Sequence, residues 1–135
     1  MLLQHSELAM PELPEVETTK TSLNPLLNQR VQAVRVFNPS LRWAIPNDIE
    51  KLIGQQLTQL TRRSKYILAH FEQDQMLWHL GMSGSFRLCQ QSDEVRKHDH
   101  LIIDFEDVQL RYHDPRRFGC ILWLDQANQS KLIDT

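Results

Sequence analysis

Four short segments carry side chains that could do chemistry. The first is Met10-Pro11-Glu12-Leu13-Pro14-Glu15-Val16-Glu17, which sets a proline beside a carboxylate. A proline at a free chain terminus is a secondary amine, able to attack an aldehyde carbon and form an iminium. Glu12 beside it could then move protons. With Met10 and nine further residues ahead of it, Pro11 is a tertiary amide and cannot be a nucleophile. The competing reading is simple helix physics, since Glu12, Glu15 and Glu17 in a first turn complement the helix macrodipole. The second segment, Arg62-Arg63-Ser64-Lys65-Tyr66, reads either as a solvated basic turn or as a phosphate contact with one lysine reaching into a site.

The third segment, His79-Leu80-Gly81-Met82-Ser83-Gly84-Ser85, holds an apolar Met between two glycines. Such a Met either folds back onto the core or stands out as a wedge of the kind that enters between DNA base steps. The fourth, Asp114-Pro115-Arg116-Arg117-Phe118-Gly119, mixes guanidinium groups, an aromatic ring and turn formers. It is either a surface turn with a buried Phe or a loop offering Arg to phosphate or base edge and Phe for stacking. His98, His100 and His113, with Asp114, invite a metal check, but no third ligand stands at a diagnostic spacing, so no metal site is expected.

These segments need a scaffold, and the composition is that of one globular domain. The chain has 135 residues, 41% hydrophobic and 24% charged, with only 4 Gly and 6 Pro. That excludes disordered, collagen-like and low-complexity classes. No apolar run reaches the roughly 18 residues of a membrane helix, and Met1–Ala9 lacks the features of a secretory signal, so a cytoplasmic protein is expected. Cys89 and Cys120 form neither a CxxC pair nor a disulfide framework and read as free buried thiols. The net charge of -2 and pI near 6.3 argue against a uniformly basic nucleic-acid binder; any basic face has to be made by folding.

Leu13, Val16, Leu23 and Leu27 share one face of a helix that Pro25 should end near Asn24. Asp48 looks like the N-cap of a short helix over 49–53 closed by Gly54. Strand-like runs occupy 30–37, 55–61, 66–71, 76–79, 85–89, 100–105, 108–113 and 119–123. Short strands at near-regular spacing predict an α+β, mainly β fold: a two-layer antiparallel β-sandwich with an N-terminal helix and a second short helix.

Taken in order, MPELPEVET, RRSKY, HLGMSGS, KHDH (Lys97 to His100) and RYHDPRRFG resemble the N-terminal catalytic domain of the formamidopyrimidine-DNA glycosylases. PELPEV, in place of PEGPE, sets the chain closer to this branch than to the endonuclease VIII-like enzymes. The resemblance implies base excision repair of damaged double-stranded DNA, with 8-oxoguanine or a formamidopyrimidine flipped out of the duplex and removed, and the strand then cut by elimination. It implies catalytic roles for Pro11 as Schiff-base nucleophile, Glu12 as general acid/base and Lys65 as proton donor, with Glu15 supporting them. Met82, Arg116 and Phe118 would fill the gap left by the flipped base, Arg116 facing the orphaned cytosine, and His98 would contact the DNA backbone. The family's zinc ion sits in a C-terminal four-cysteine finger with no counterpart among these residues. The expected division is an extension over 1–9, the catalytic domain over 10–126 and the start of an interdomain linker over 127–135. A monomer is expected, starting at Met10 so that methionine removal frees Pro11, and weakly active or inactive without the family's second half. A non-catalytic DNA-binding remnant is the alternative.

Overall fold

A computed structural model describes residues 13–125, with only the backbone given for Leu13. Pro11, Glu12, the extension over 1–9 and most of the expected linker lie outside the described residues. Helix α1 spans Leu13–Ser22, and eight strands follow: β1 Ala33–Val36, β2 Leu57–Arg63, β3 Tyr66–Phe71, β4 Gln75–His79, β5 Ser85–Cys89, β6 Asp99–Asp104, β7 Gln109–His113 and β8 Cys120–Trp123. They form two antiparallel four-stranded sheets, ordered β1-β6-β7-β5 and β2-β3-β4-β8. This is the two-layer sandwich that the strand spacing predicts.

Helix α1 begins with Glu15 in its first turn and ends with Lys20 in its last, both favourable to the macrodipole. It stops at Ser22 because Pro25 blocks a further turn; Leu23 N–H tightens back to Lys20 O and a short 3₁₀ turn, Asn24–Leu26, takes over. Val16, Leu23 and Leu26 are buried, while Leu27 is only partly covered. The second short helix is also 3₁₀, Ile49–Leu52. Asp48 precedes it but does not cap it with its side chain: its carboxylate instead accepts the Trp123 indole N–H at 2.8 Å.

The interior lies between the sheets. Leu60, Ile67, Ala69, Met76, Trp78 and Ile121 come from one layer, and Val34, Leu101, Ile103, Leu110 and Tyr112 from the other. In β2 the inward residues Leu57 and Leu60 are three apart, which a period-two strand forbids. A register shift between Leu57 and Gln59 restores the inward phase. The rings of Trp78 and Phe86 (5.0 Å) bridge the two layers, and Phe86 stands against Tyr112 of the neighbouring strand in its own sheet (5.1 Å). Cys89 and Cys120 are free and buried, in different sheets. Among the described residues no helix is long and apolar enough to cross a membrane.

Candidate nucleic-acid interface

Strand direction gathers the sequence-marked segments at one end of the sandwich. Strands β2, β4 and β7 run towards that end, and β3, β5, β6 and β8 run away from it, as the pairs Arg63↔Tyr66, His79↔Cys120, Ser85↔His113 and Asp99↔His113 require. The 64–65, 80–84 and 114–119 loops therefore share an end with His98. Helix α1 aims its N-terminus there too. Its Glu17 bonds Arg62 near the end of β2 (3.0 Å), and further along the chain Asn28 N–H meets Leu57 O at the start of β2. Glu15 lies exposed on the first turn of this helix.

Lys65 occupies the two-residue turn between β2 and β3, which Ser64 permits by adopting φ of 55°. Arg62, grouped with Lys65 in the basic run, is a scaffold residue. Its guanidinium holds Glu17 of α1 and the carbonyl of Ser64, and Lys20 and Arg62 together keep the Glu17 carboxyl below its ordinary pKa. Arg111 is likewise internal. It is fully buried and donates to Gln109 Oε1 and to the carbonyls of Gln90, Asp93 and Glu94, so it shapes the loop before β6.

The 80–84 and 114–119 loops are built on one buried carboxylate. Asp114 Oδ1 accepts the Ser83 hydroxyl (2.5 Å) and Arg117 N–H (2.9 Å); Oδ2 accepts the Tyr112 hydroxyl (2.6 Å) and Gly119 N–H (2.9 Å). Burial alone would raise this carboxyl's pKa, but those four donors reverse the effect and hold it below the ordinary value. Burial, and then the bond to the Asp114 carboxylate and its negative charge, push the Tyr112 phenol far upward. The glycines follow from this packing. A Cβ on Gly119 would stand 1.8 Å from the Tyr112 hydroxyl, and one on Gly81 would meet the backbone of Phe118 at 2.9 Å. Two loops that each cross from one sheet to the other are thereby pressed together.

What they present is apolar and cationic. Met82 and Phe118 are 46% and 45% exposed, and the Arg116 guanidinium lies 4.9 Å from the Phe118 ring centre. The sequence left open whether Met82 and Phe118 are core or display; both are displayed. Beside them a cavity of about 370 Å³ is lined by Arg42, His79, Gly81, Met82 and Phe118. His79 is lowered to a pKa of about 4, first by burial and then by the positive charges of Lys65 and Arg42. It is a neutral imidazole whose Nδ1 accepts Gly81 N–H, so Nε2 carries the proton. Neither Arg42 nor His79 is singled out as a site residue by sequence. The only hint for His79 is its place at the head of the Gly-Met-Ser-Gly segment.

His98 is half-buried, its ring 6.2 Å from that of His100 and 5.8 Å from that of His113. His100 Nε2 is bonded to Asp114 O, and His113 Nδ1 to Asp99, which Arg87 also grips with both guanidinium ends. Burial opposes ionisation of Asp99, yet Arg87, Arg96 N–H and His113 carry its pKa well below the usual range. His100 and His113 are committed to the scaffold, and no cluster of three His, Cys, Asp or Glu among the described residues could hold a metal.

The family model of the formamidopyrimidine-DNA glycosylase N-terminal domain matches residues 10–121. The chain belongs to the formamidopyrimidine-DNA glycosylase family. The formamidopyrimidine-DNA glycosylase of Acinetobacter baumannii (strain SDF) is 79% identical over 126 residues, covering 93% of this chain and 46% of that protein. The protein of the same name from Psychrobacter arcticus is 47% identical over 145 residues, covering 91% and 47%. The chain thus spans about half the length of the curated relatives it matches. Among solved structures, Lactococcus lactis Fpg (MutM) with a FAPY-dG containing DNA superposes with a TM-score of 0.78 at 31% identity, over 90% of this chain and 48% of that one. The same enzyme with an abasic-site containing DNA gives the same score, identity and coverage. For a formamidopyrimidine-DNA glycosylase the resemblance implies a four-cysteine zinc finger. The residues described do not fit one, since the chain's two cysteines are buried in separate sheets.

Proposed function

We propose that this domain, spanning residues 10–126, is the lesion-binding and catalytic half of a bifunctional DNA glycosylase and abasic-site lyase. Its substrates would be oxidised purines, 8-oxoguanine and formamidopyrimidines, in duplex DNA, bound by a monomer in the cytoplasm. The observation that carries this reading is the gathering of Lys65, Met82, His98, Arg116 and Phe118 at one end of the sandwich, towards which the N-terminus of α1 points. The relatives' names and the DNA complexes of the superposing enzyme support it.

In this reading Met10 is the start, and its removal frees the Pro11 amine. That amine attacks C1′ of the damaged nucleotide, the base leaves, and an iminium links protein and sugar. The iminium acidifies the C2′ hydrogen, and β-elimination breaks the strand, with δ-elimination able to follow. Glu12 exchanges protons at the sugar, and Glu15, on the first turn of α1, supports it. Lys65, on its rigid hairpin, donates a proton during elimination. Met82 and Phe118 replace the flipped base in the stack, Arg116 faces the orphaned cytosine, and His98 contacts the backbone. The zinc that the family resemblance implies would sit in a C-terminal finger and add grip on DNA there; none of these steps runs through it.

Borohydride trapping on a duplex with one abasic site tests the reading. Chain beginning at Pro11 should form a covalent adduct, and chain beginning at Met1 should not. Lys65→Ala should retain the adduct but slow strand cleavage. Equal adducts from both starts would remove Pro11 from its role, and no adduct from folded chain of either start would favour a DNA-binding module without turnover.

A further inference from the structure

We propose that Ser83 and Asp114 are positioning residues that lock the Met82 loop and the Arg116–Phe118 loop into one rigid wedge. The inference rests on the reading of Met82, Arg116 and Phe118 as the side chains that enter the DNA. It adds a reason why three side chains from two separate loops can act together. The Ser83 hydroxyl, next to Met82, donates to Asp114 Oδ1 and accepts Arg116 N–H at 3.3 Å. One oxygen in the first loop therefore touches both the base and the tip of the second.

The two carboxylate oxygens divide the work. Oδ1 serves the crossing between loops and the Arg117 turn, whereas Oδ2 serves the floor, through Tyr112 and Gly119. Arg117 adopts φ of 60°, costly for a residue with a Cβ, and the Oδ1 bond to its N–H holds it there. The backbones already touch at Gly81 and Phe118. The hydroxyl fixes how Met82 and Arg116 are placed across that contact. A wedge ordered before it meets DNA loses less conformational freedom on insertion. Ser83 and Asp114 touch no reacting atom in this scheme, and their effect is on where the wedge stands.

The test compares Ser83→Ala, Ser83→Thr and Tyr112→Phe, each in chain beginning at Pro11. Amide hydrogen exchange without DNA comes first. Ser83→Ala should speed exchange at Arg116 N–H by about tenfold, the worth of one hydrogen bond, and leave Gly119 N–H protected through Oδ2. Ser83→Thr, which keeps the hydroxyl, should restore the slow rate. Borohydride trapping then compares an abasic duplex, where a gap must be filled, with the same lesion in a single strand, where none exists. Ser83→Ala, in chain beginning at Pro11, should lose about tenfold on the duplex and under about twofold on the single strand. Tyr112→Phe, which loosens the floor without touching the crossing, should keep the wild-type ratio of the two. Unchanged exchange at Arg116 N–H in Ser83→Ala, or equal loss on both substrates, would overturn the proposal. If the parent chain trapped neither substrate, the catalytic reading would fail, and the exchange result would still decide whether the loops are coupled.

Discussion

The two ends of the sandwich are built from the same strands and hold their charge differently. At the end away from the loops, each cation has a carboxylate. Arg30 pairs with Glu72 at 3.0 Å, Arg35 with Asp104 at 3.3 Å, and Lys51 lies between Asp48 and Asp74. At the loop end, Glu17 and Asp99 pair with Lys20, Arg62, Arg87 and His113, and Arg42, Arg63, Lys65, Arg96, Lys97, Arg116 and Arg117 make no ion pair with them. Of the acids at this end, Asp99 and Asp114 are buried and consumed by the scaffold, and Glu17 is held by Lys20 and Arg62. A net charge of -2 is therefore an average over a polarised molecule. A polyanion approaching the loop end meets a group of cations with exposed apolar side chains among them, Met82 and Phe118 included, whereas the other end offers it neutralised pairs.

This contrast can be broken most severely through the glycines. Gly119→Ala should destabilise the fold by about 3 kcal/mol, because the new methyl overlaps the Tyr112 hydroxyl and loosens the bonds to Asp114. Gly54→Ala, at φ of 92° but in open space at the far end, should cost about 1 kcal/mol from backbone strain alone. Urea unfolding of both variants measures the difference. Equal losses would mean that the loop end is no more tightly built than the rest.

Acid should also strike the loop end first. His79 has a folded pKa of about 4, below the ordinary 6.5, so the unfolded chain takes up its proton more readily. Its contribution is complete above pH 6.5 and is lost as pH falls towards 4. At pH 4.5 the expected loss is about 2 kcal/mol relative to pH 7. Asp99 and Asp114, whose pKa values are depressed, add their losses only once pH falls below the normal carboxylate range. His79→Asn keeps an acceptor for Gly81 N–H and should flatten the stability curve between pH 6.5 and 4.5, while the carboxylate limb below it persists. Denaturant titrations across that range supply the check.

The mildest test concerns charge. Lys65→Gln or Arg116→Gln should each lower the salt dependence of duplex binding by about one unit of log–log slope. Arg30→Gln, at the far end, should leave the slope unchanged, as read by fluorescence anisotropy at several salt concentrations.

The strands were legible because turn formers punctuate them: 66–71 and 85–89 coincide with β3 and β5 in full. The run over 30–37 shrinks to Ala33–Val36, since Arg30 makes only an isolated bridge to Gln56. The run over 55–61 shifts to Leu57–Arg63 because the Gln55 side chain turns aside to clamp the β3–β4 turn through Gln73 N–H, Asp74 and Lys51 O. At the site, the displayed side chains could be named from sequence, but their supports could not. Asp-Pro reads as a turn initiator, and nothing local says that its carboxylate is buried beneath a loop 31 residues earlier in the chain. Arg62 and Arg111 look like surface cations in a basic run, and only tertiary contacts reveal that one braces a helix and the other fills a loop. Pairing across the fold decides such roles, and pairing is what a one-dimensional pattern omits.

In the proposed function, the loop end of this sandwich is the surface that meets DNA. The most direct measurement is a titration of isotopically labelled chain with an abasic duplex, followed amide by amide. Shifts should concentrate at residues 42, 63–65, 79–84, 96–98 and 114–119 and stay small at 30–33, 54–56, 72–75 and 104–109. Perturbations centred on the second set, or spread evenly over both ends, would contradict it.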